Sequence, residues 1–209
     1  MILAFIGIGN VGFALANNLQ KKGHNIIIAH DDINNETVKK AIVKNSNFTI
    51  SKIQEAIEVS DMIFLATPFF LNEDILKPLK FYGKTLIDCT NPIAKGLSHG
   101  LGSKISGAEK IQDWSKDAKV VKAFTIYGFE NLIDSSFPNH KIKPVMMIAG
   151  NHLESKKNVA KLNADLGFET LDTGNLNQAL HLEHMTLLWV KMVRRDGHHP
   201  NFTWAMLER

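Results

Sequence analysis

The sequence predicts an α/β fold built on a doubly wound, mostly parallel β-sheet, and three observations support this fold class. An apolar run without any charged residue, residues 2–6, opens the chain. A glycine-rich turn and a segment with helical periodicity follow it directly, as far as residue 22. Further short apolar runs then alternate with helical segments, a pattern typical of parallel sheets whose strands are buried on both faces.

The glycine-rich turn carries the pattern G-x-G-x-x-G at Gly7, Gly9 and Gly12, before a predicted helix over residues 10–22. Gly7 permits the sharp turn out of the strand, Gly9 leaves room for a pyrophosphate, and Gly12 lets the helix pack close to the strand. The free N–H groups and the positive dipole at the start of that helix favour a diphosphate. The pattern therefore predicts a Rossmann-type dinucleotide site, with a glycine-rich turn of some other α/β protein as the alternative.

The second predicted strand, residues 25–29, is followed by His30 and Asp31. Residues at this position meet the adenosine ribose of a bound dinucleotide. An acidic residue at the end of the strand favours NAD, and a basic residue one step later favours the 2′-phosphate of NADP. Here the histidine occupies the first position and the aspartate the second, so neither rule is met cleanly.

Other roles are open to the polar residues of this segment. Asp31 and Asp32 are alternatively caps of a helix that begins near Glu36. Two lysines, Lys39 and Lys40, lie farther along the chain and would reach a 2′-phosphate only if the loop folds back.

Strands are also predicted at residues 48–50, 62–66 and 84–88, and loops follow the last two. Loops at the carboxyl ends of parallel strands line the ligand crevice of a doubly wound sheet. Thr67 and Pro68 occupy the first of these loops and Asn91 the second. The asparagine offers both a donor and an acceptor to a carboxamide or a substrate carbonyl, and a turn-forming Asn-Pro is the alternative.

The second half of the chain predicts a small α/β extension that ends in a long helix. A glycine- and serine-rich segment, residues 96–107, is expected to be a flexible loop that covers the site. The predicted elements are a helix over 104–117, strands over 120–124, 143–149 and 168–171, and helices over 153–166 and 178–194. We therefore predict a dinucleotide-binding domain at 1–125 and a C-terminal extension packed on it at 126–209. The broad apolar surface of the last helix predicts a homodimer.

Composition excludes several classes of protein. The 209 residues carry a formal net charge of +3, which is too small to predict nucleic acid or an anionic membrane as a partner. Cys89 is the only cysteine, and no apolar stretch is long enough for a membrane span or precedes the first strand as a signal peptide, so we expect a cytoplasmic protein. His181 and His184 lack a third ligand at a suitable spacing, and no metal site is predicted.

A resemblance to a known family rests on the glycine-rich turn together with residues 60–68 (SDMIFLATP), 86–92 (LIDCTNP) and 120–124 (VVKAF). This series resembles the NADP-dependent oxidoreductases related to the reductases of the deazaflavin coenzyme F-420, and the cytosolic domain of certain transmembrane metalloreductases. The resemblance implies hydride transfer between a nicotinamide and a second redox partner, without a side-chain nucleophile. The Ser-Arg pair usual in the family after the second strand falls on His30 and Asp31, and its usual Asn after Ala-Phe falls on Thr125.

The predicted function is hydride transfer between NADP(H), with NAD(H) as the alternative, and a flavin-, deazaflavin- or quinone-like acceptor. A dinucleotide-binding sensor without turnover is the alternative function, because no general acid is evident. Reductases of imines or β-hydroxyacids usually add a long helical dimer domain for which this chain lacks the length. No catalytic side chain is predicted. The predicted cofactor-binding residues are Gly7, Ile8, Gly9, Asn10, Val11, Gly12, His30, Asp31, Ala66, Thr67, Pro68, Asn91 and Pro92.

Overall fold

Ten strands and eight α-helices alternate along residues 1–209, all of which the computed structural model describes. The strands are β1 (Ile2–Ile6), β2 (Asn25–Ala29), β3 (Thr49–Ser51), β4 (Met62–Leu65), β5 (Thr85–Asp88), β6 (Ile93–Ala94), β7 (Ser98–His99), β8 (Lys119–Lys122), β9 (Val145–Gly150) and β10 (Glu169–Asp172). The helices are α1 (Asn10–Lys21), α2 (Glu36–Lys44), α3 (Ile53–Val59), α4 (Asn72–Leu76), α5 (Gly107–Trp114), α6 (Phe129–Ile133), α7 (Leu153–Asp165) and α8 (Ala179–Val190).

Eight of the strands form one sheet in the order β10-β9-β8-β5-β4-β1-β2-β3. The six strands from β8 to β3 are parallel, β9 pairs antiparallel with β8, and β10 runs parallel to β9. The strand order reverses between β1 and β4, and this reversal is the switch point where ligands bind in open α/β sheets. The prediction of a doubly wound, mostly parallel sheet is confirmed.

The core lies on both faces of the central strands, which explains why they are uninterrupted apolar runs in the sequence. Every residue of β4 is buried, and Phe5 of β1 stacks on Phe64 with ring centroids 4.4 Å apart. Phe124, just beyond β8, packs against the same Phe64 ring at 5.9 Å. This aromatic series fixes the spacing of β1 and β4 at the switch point.

Beyond β5, the sequence prediction of the elements needs corrections. The predicted strand over 120–124 ends at Lys122, because Phe124 has φ +58°, which is incompatible with an extended strand. The segment predicted as a flexible loop, 96–107, begins with part of a short hairpin, β6–β7, and places His99 in the interior. Helix α5 starts at Gly107 rather than at 104, because Ser106 and Glu109 form a capping box there.

The elements after residue 126 follow the sequence prediction more closely. β9, α7 and β10 form a parallel βαβ unit that joins the main sheet through the antiparallel β8–β9 pair. The predicted helix over 178–194 is α8 followed by a π-helical turn, Lys191–Arg195. Its apolar side chains are buried or half-buried within the chain, except Leu188, which is 50% exposed. None of the helices combines the length and the apolar character that crossing a membrane requires.

Candidate functional site

The three glycines of the turn between β1 and α1 have different surroundings. Gly7 has φ +95°, and a Cβ atom there would lie 2.6 Å from the carbonyl carbon of Ala66. A Cβ atom on Gly12 would lie 2.2 Å from the carbonyl oxygen of Gly7. A Cβ atom on Gly9, by contrast, would meet no atom within 4 Å. Packing therefore requires two of the glycines, whereas Gly9 borders open space at the start of α1.

The start of α1 is chemically suited to an anion. No side chain caps the helix at Gly9, and its first turn contains no acidic residue. The first N–H groups of a helix have no partner within the helix, and they carry the positive end of its dipole. Asn10 and Val11 lie in this first turn, and Ile8 is buried in the turn before it. The arrangement fits the diphosphate of a dinucleotide.

The loop after β4 lies directly against the glycine turn, since Gly7 contacts Ala66 and Thr67. The Thr67 hydroxyl donates to Oδ1 of Asn72, a fully buried residue whose Nδ2 has no partner. Pro68 precedes a single 3₁₀ turn, Phe69–Leu71. The structure thus brings two predicted groups, 7–12 and 66–68, into one cluster at the carboxyl edge of the sheet.

The loops after β5 and β8 contribute unpaired polar groups to the same edge. Asn91 follows β5, and its buried Oδ1 has no hydrogen-bond partner. Thr125 follows β8, the neighbouring strand, and its buried Oγ1 also has no partner. The carbonyl of Pro92 accepts from Gly100 N–H at 2.6 Å, which ties the loop to the turn after β7. A buried polar atom without a partner needs an explanation, and a ligand is one.

The residues after β2 are held by local hydrogen bonds. Nδ1 of His30 accepts from the N–H of Asp32 at 3.0 Å. Oδ1 of Asp31 accepts from the N–H of Ile53 at 3.0 Å, at the first residue of α3. The alternative that aspartates cap α2 is wrong, because Asn35 caps that helix by accepting from Thr37 N–H. His30 and Asp31 lie at the end of β2, the neighbour of β1, and one oxygen of the carboxylate is already engaged.

A buried ion network lies beneath the strand ends, and the sequence analysis missed it. Lys122, at the end of β8, is fully buried between two carboxylates. Its Nζ lies 2.9 Å from Oδ2 of Asp88 on β5 and 3.0 Å from Oε1 of Glu183 on α8. The same Nζ donates to the carbonyl of Thr90, the residue before Asn91. The network therefore shapes the loop that presents Asn91.

Glu183 joins α8 to two other segments. Its Oε2 accepts from His99 Nε2 at 2.9 Å and from Gly107 N–H at 3.0 Å. Nδ1 of His99 accepts from the N–H groups of Leu101 and Ser103 at 3.3 and 3.2 Å. These two bonds make Nδ1 an acceptor, so Nε2 is the nitrogen that donates to Glu183. The segment after β6 is anchored through this histidine.

The pKa values follow from burial and pairing. Burial alone would raise the pKa of Glu183, but Lys122 and the Gly107 N–H hold it below its usual value. Burial raises the pKa of Asp88 in spite of Lys122 and Thr90. Burial alone would lower the pKa of Lys122, but its two carboxylate partners raise it. In sequence, the only signals of this network were a lysine inside an apolar strand and a glutamate inside an apolar helix.

Comparisons with known proteins indicate the class of protein to which this chain is similar. Residues 2–92 match the family described as NADP oxidoreductase, coenzyme F420-dependent. Metalloreductase STEAP3 of Rattus norvegicus is 27% identical over 187 residues, and the match covers 88% of this chain and 36% of the metalloreductase. The chain thus spans about a third of that relative's length.

Solved structures share the fold. A candidate F420-dependent NADP reductase from Arthrobacter sp. FB24 superposes with a TM-score of 0.80 at 21% identity, covering 99% of each chain. A reductive aminase from Aspergillus terreus, solved with NADPH and ethyl-5-oxohexanoate, superposes with a TM-score of 0.64 at 16% identity. That match covers 92% of this chain and 61% of the aminase.

The strand order, the glycine turn and these matches define a protein of the NAD(P)-dependent oxidoreductase class. Within that class, residues 2–92 match the coenzyme F420-dependent NADP oxidoreductase family, and the resemblance predicted from the sequence is confirmed.

We predict that Gly9→Asp leaves the protein folded and weakens dinucleotide binding by at least about tenfold. The new side chain meets no protein atom, and aspartate is a favourable N-cap, but its charge occupies and repels the diphosphate position. Isothermal titration and thermal melting measure the two effects, with Gly9→Ala as the uncharged control. If Gly9→Asp binds both NADPH and NADH with wild-type affinity, the diphosphate does not lie at this position.

We predict that Lys122→Met destabilises the fold by about 3–5 kcal/mol, since it leaves two buried carboxylates without their cation. Loss of the cation raises the pKa of both carboxyls, so the folded variant binds more protons than the unfolded chain, and its stability falls as pH rises. Urea denaturation at pH 5 and pH 8 should therefore show the larger loss at pH 8. Lys119→Met, at the exposed start of the same strand, is the matched control and should have little effect at either pH.

Proposed function

We propose that this protein transfers a hydride between NADP(H) and a flat redox acceptor of the flavin, deazaflavin or quinone type. The observation that carries the proposal is the open space beside Gly9 at an uncapped helix start, directly at the switch point of the sheet. An anion-binding helix start at this position suits a dinucleotide that extends along the carboxyl edge toward the ends of β4 and β5.

The residues of the edge act by binding and orientation. In this proposal the first turn of α1 holds the diphosphate, and His30 and Asp31 lie beside the adenosine ribose. Ala66 to Pro68 line the crevice. The amide of Asn91, whose oxygen lacks a protein partner, orients a carboxamide at the end of β5. A bound nicotinamide supplies or accepts the hydride, and the chain contributes alignment and exclusion of water.

The state of the ionisable groups favours an acceptor that needs little acid catalysis. Asp88, Lys122 and Glu183 are fully buried and paired with one another, so none of them presents a proton to the crevice. Reduction of a ketone requires a proton donor at the reacting oxygen, whereas hydride transfer to a flavin-like ring needs little such help. The same observation supports the alternative of a dinucleotide sensor without turnover.

We predict that the purified protein oxidises NADPH in the presence of at least one of three acceptors: FMN, a deazaflavin or a benzoquinone. Loss of the reduced-nicotinamide absorbance under steady-state conditions measures this turnover, and the binding-deficient Gly9→Asp variant serves as the control. Tight binding of NADPH by titration, without turnover with any of these acceptors, would contradict the hydride transfer proposed here and support the sensor.

We also propose that the protein is a homodimer in the cytoplasm. The exposed Leu188 on α8 supports a contact between subunits at this helix, although most of its other apolar side chains pack within the chain. Light scattering at micromolar concentration is expected to show twice the chain mass, and Leu188→Lys should then shift the mass toward the monomer. A monomer mass for the unmodified protein would reject the dimer.

A further inference from the structure

We propose that Lys40 and Thr37, on the first turns of α2, bind the 2′-phosphate of NADP(H) and set the preference for this nucleotide. The inference rests on the proposed dinucleotide site, which it extends to a position away from His30 and Asp31. It assigns the choice between NADP and NAD to a helix surface rather than to the end of β2.

A groove of about 350 Å³ runs along α1 between α2 and α6. It begins at Gly9 and Asn10, so it is continuous with the start of α1 where the diphosphate is proposed. Its lining contains three cationic side chains, Lys21, Lys40 and Lys44, and no acidic residue. A groove with this charge, joined to a diphosphate site, suits a further phosphate.

Within the groove, Lys40 and Thr37 belong to the same helix face, three residues apart. Both line the groove together with Gly9, whereas the neighbouring Lys39 does not. Lys44 lies one turn farther along α2, with its Nζ 5.2 Å from the centre of the Phe13 ring. Thr37 and Lys40 are therefore the residues of α2 in the groove that lie nearest the start of this helix.

Lys40 can exchange its present ion-pair partner for a phosphate at a small cost in free energy. Its Nζ lies 2.6 Å from Oε1 of Glu36, but the two side chains are 67% and 81% exposed. Exposed pairs of this kind contribute little to stability, so the ammonium group can exchange the carboxylate for a phosphate. Two charges on a phosphate attract it more strongly than the single charge on Glu36.

The groups after β2 are less suited to the phosphate. Asp31 is negative, and its carboxylate is bound to the N-terminal N–H of α3. Nδ1 of His30 already accepts from Asp32 N–H, which leaves only Nε2 for a ligand. A histidine and an aspartate therefore provide at most one donor there, while the groove provides an ammonium group and a hydroxyl.

The test compares Lys40→Gln with Lys39→Gln, two variants with the same net charge on the same helix. Isothermal titration gives the Kd values of NADPH and NADH for both variants and for the wild-type protein. We expect Lys40→Gln to weaken NADPH by about tenfold and to leave NADH unchanged, because NADH has no phosphate at this position. Lys39→Gln should leave both constants unchanged, and Thr37→Val should weaken NADPH alone, by a smaller factor.

Three results would overturn the inference. Equal weakening of NADPH by the two lysine variants would show a general effect of charge and not a contact. An unchanged Kd of NADPH in Lys40→Gln would mean that the 2′-phosphate does not contact Lys40. A wild-type protein that binds NADH more tightly than NADPH would mean that the 2′-phosphate contributes nothing to binding. If the wild-type protein binds neither nucleotide, the proposed function itself fails, and this outcome differs from the others because NADH binding is then absent too.

Discussion

The pairing of Lys122 with two buried carboxylates is the constraint on which the carboxyl edge of the sheet depends. A fully buried ammonium group is tolerated only when its charge is compensated and its protons have acceptors. Here Asp88, Glu183 and the Thr90 carbonyl supply those acceptors, and they come from β5, from α8 and from the loop after β5. Because Asp88, Lys122 and Glu183 are far apart in the chain, the network forms only when the sheet and the last helix are both in place.

One result of this constraint is that α8 supports the edge where the dinucleotide is proposed to bind. Glu183 of α8 bonds to His99 and to the start of α5, and through them it anchors the segment after β6. A segment of this composition was expected to be flexible, since glycine and serine dominate it. The buried His99 overrides that composition, because both nitrogens of its ring have hydrogen-bond partners and hold the segment in place.

The sequence predicted those parts of the molecule that depend on local pattern. The parallel strands appear as apolar runs, and the spacing of the three glycines is typical of a turn between a strand and a helix. The bounds of β1, α1 and β2 were therefore predicted to within one residue. The network could not be predicted, since Lys122 and Glu183 are 61 positions apart and no periodicity connects them. The groove that holds Lys40 was missed for the same reason: it is formed by α1, α2 and α6 together, and α6 was not predicted at all.

The backbone at Phe124 shows how the same edge sustains an unfavourable conformation. A φ of +58° in a residue with a bulky side chain costs of order 1–3 kcal/mol, so the surroundings must require it. They do so on both sides: the ring is buried against Phe64, and the next carbonyl, that of Thr125, accepts from the Thr186 hydroxyl of α8 at 2.8 Å. The bend ends β8 early and leaves the Thr125 hydroxyl buried without a partner, at the same edge as the unpaired Asn91 oxygen. Strain and unpaired polar groups at one edge are features that a protein retains where a ligand makes the missing contacts.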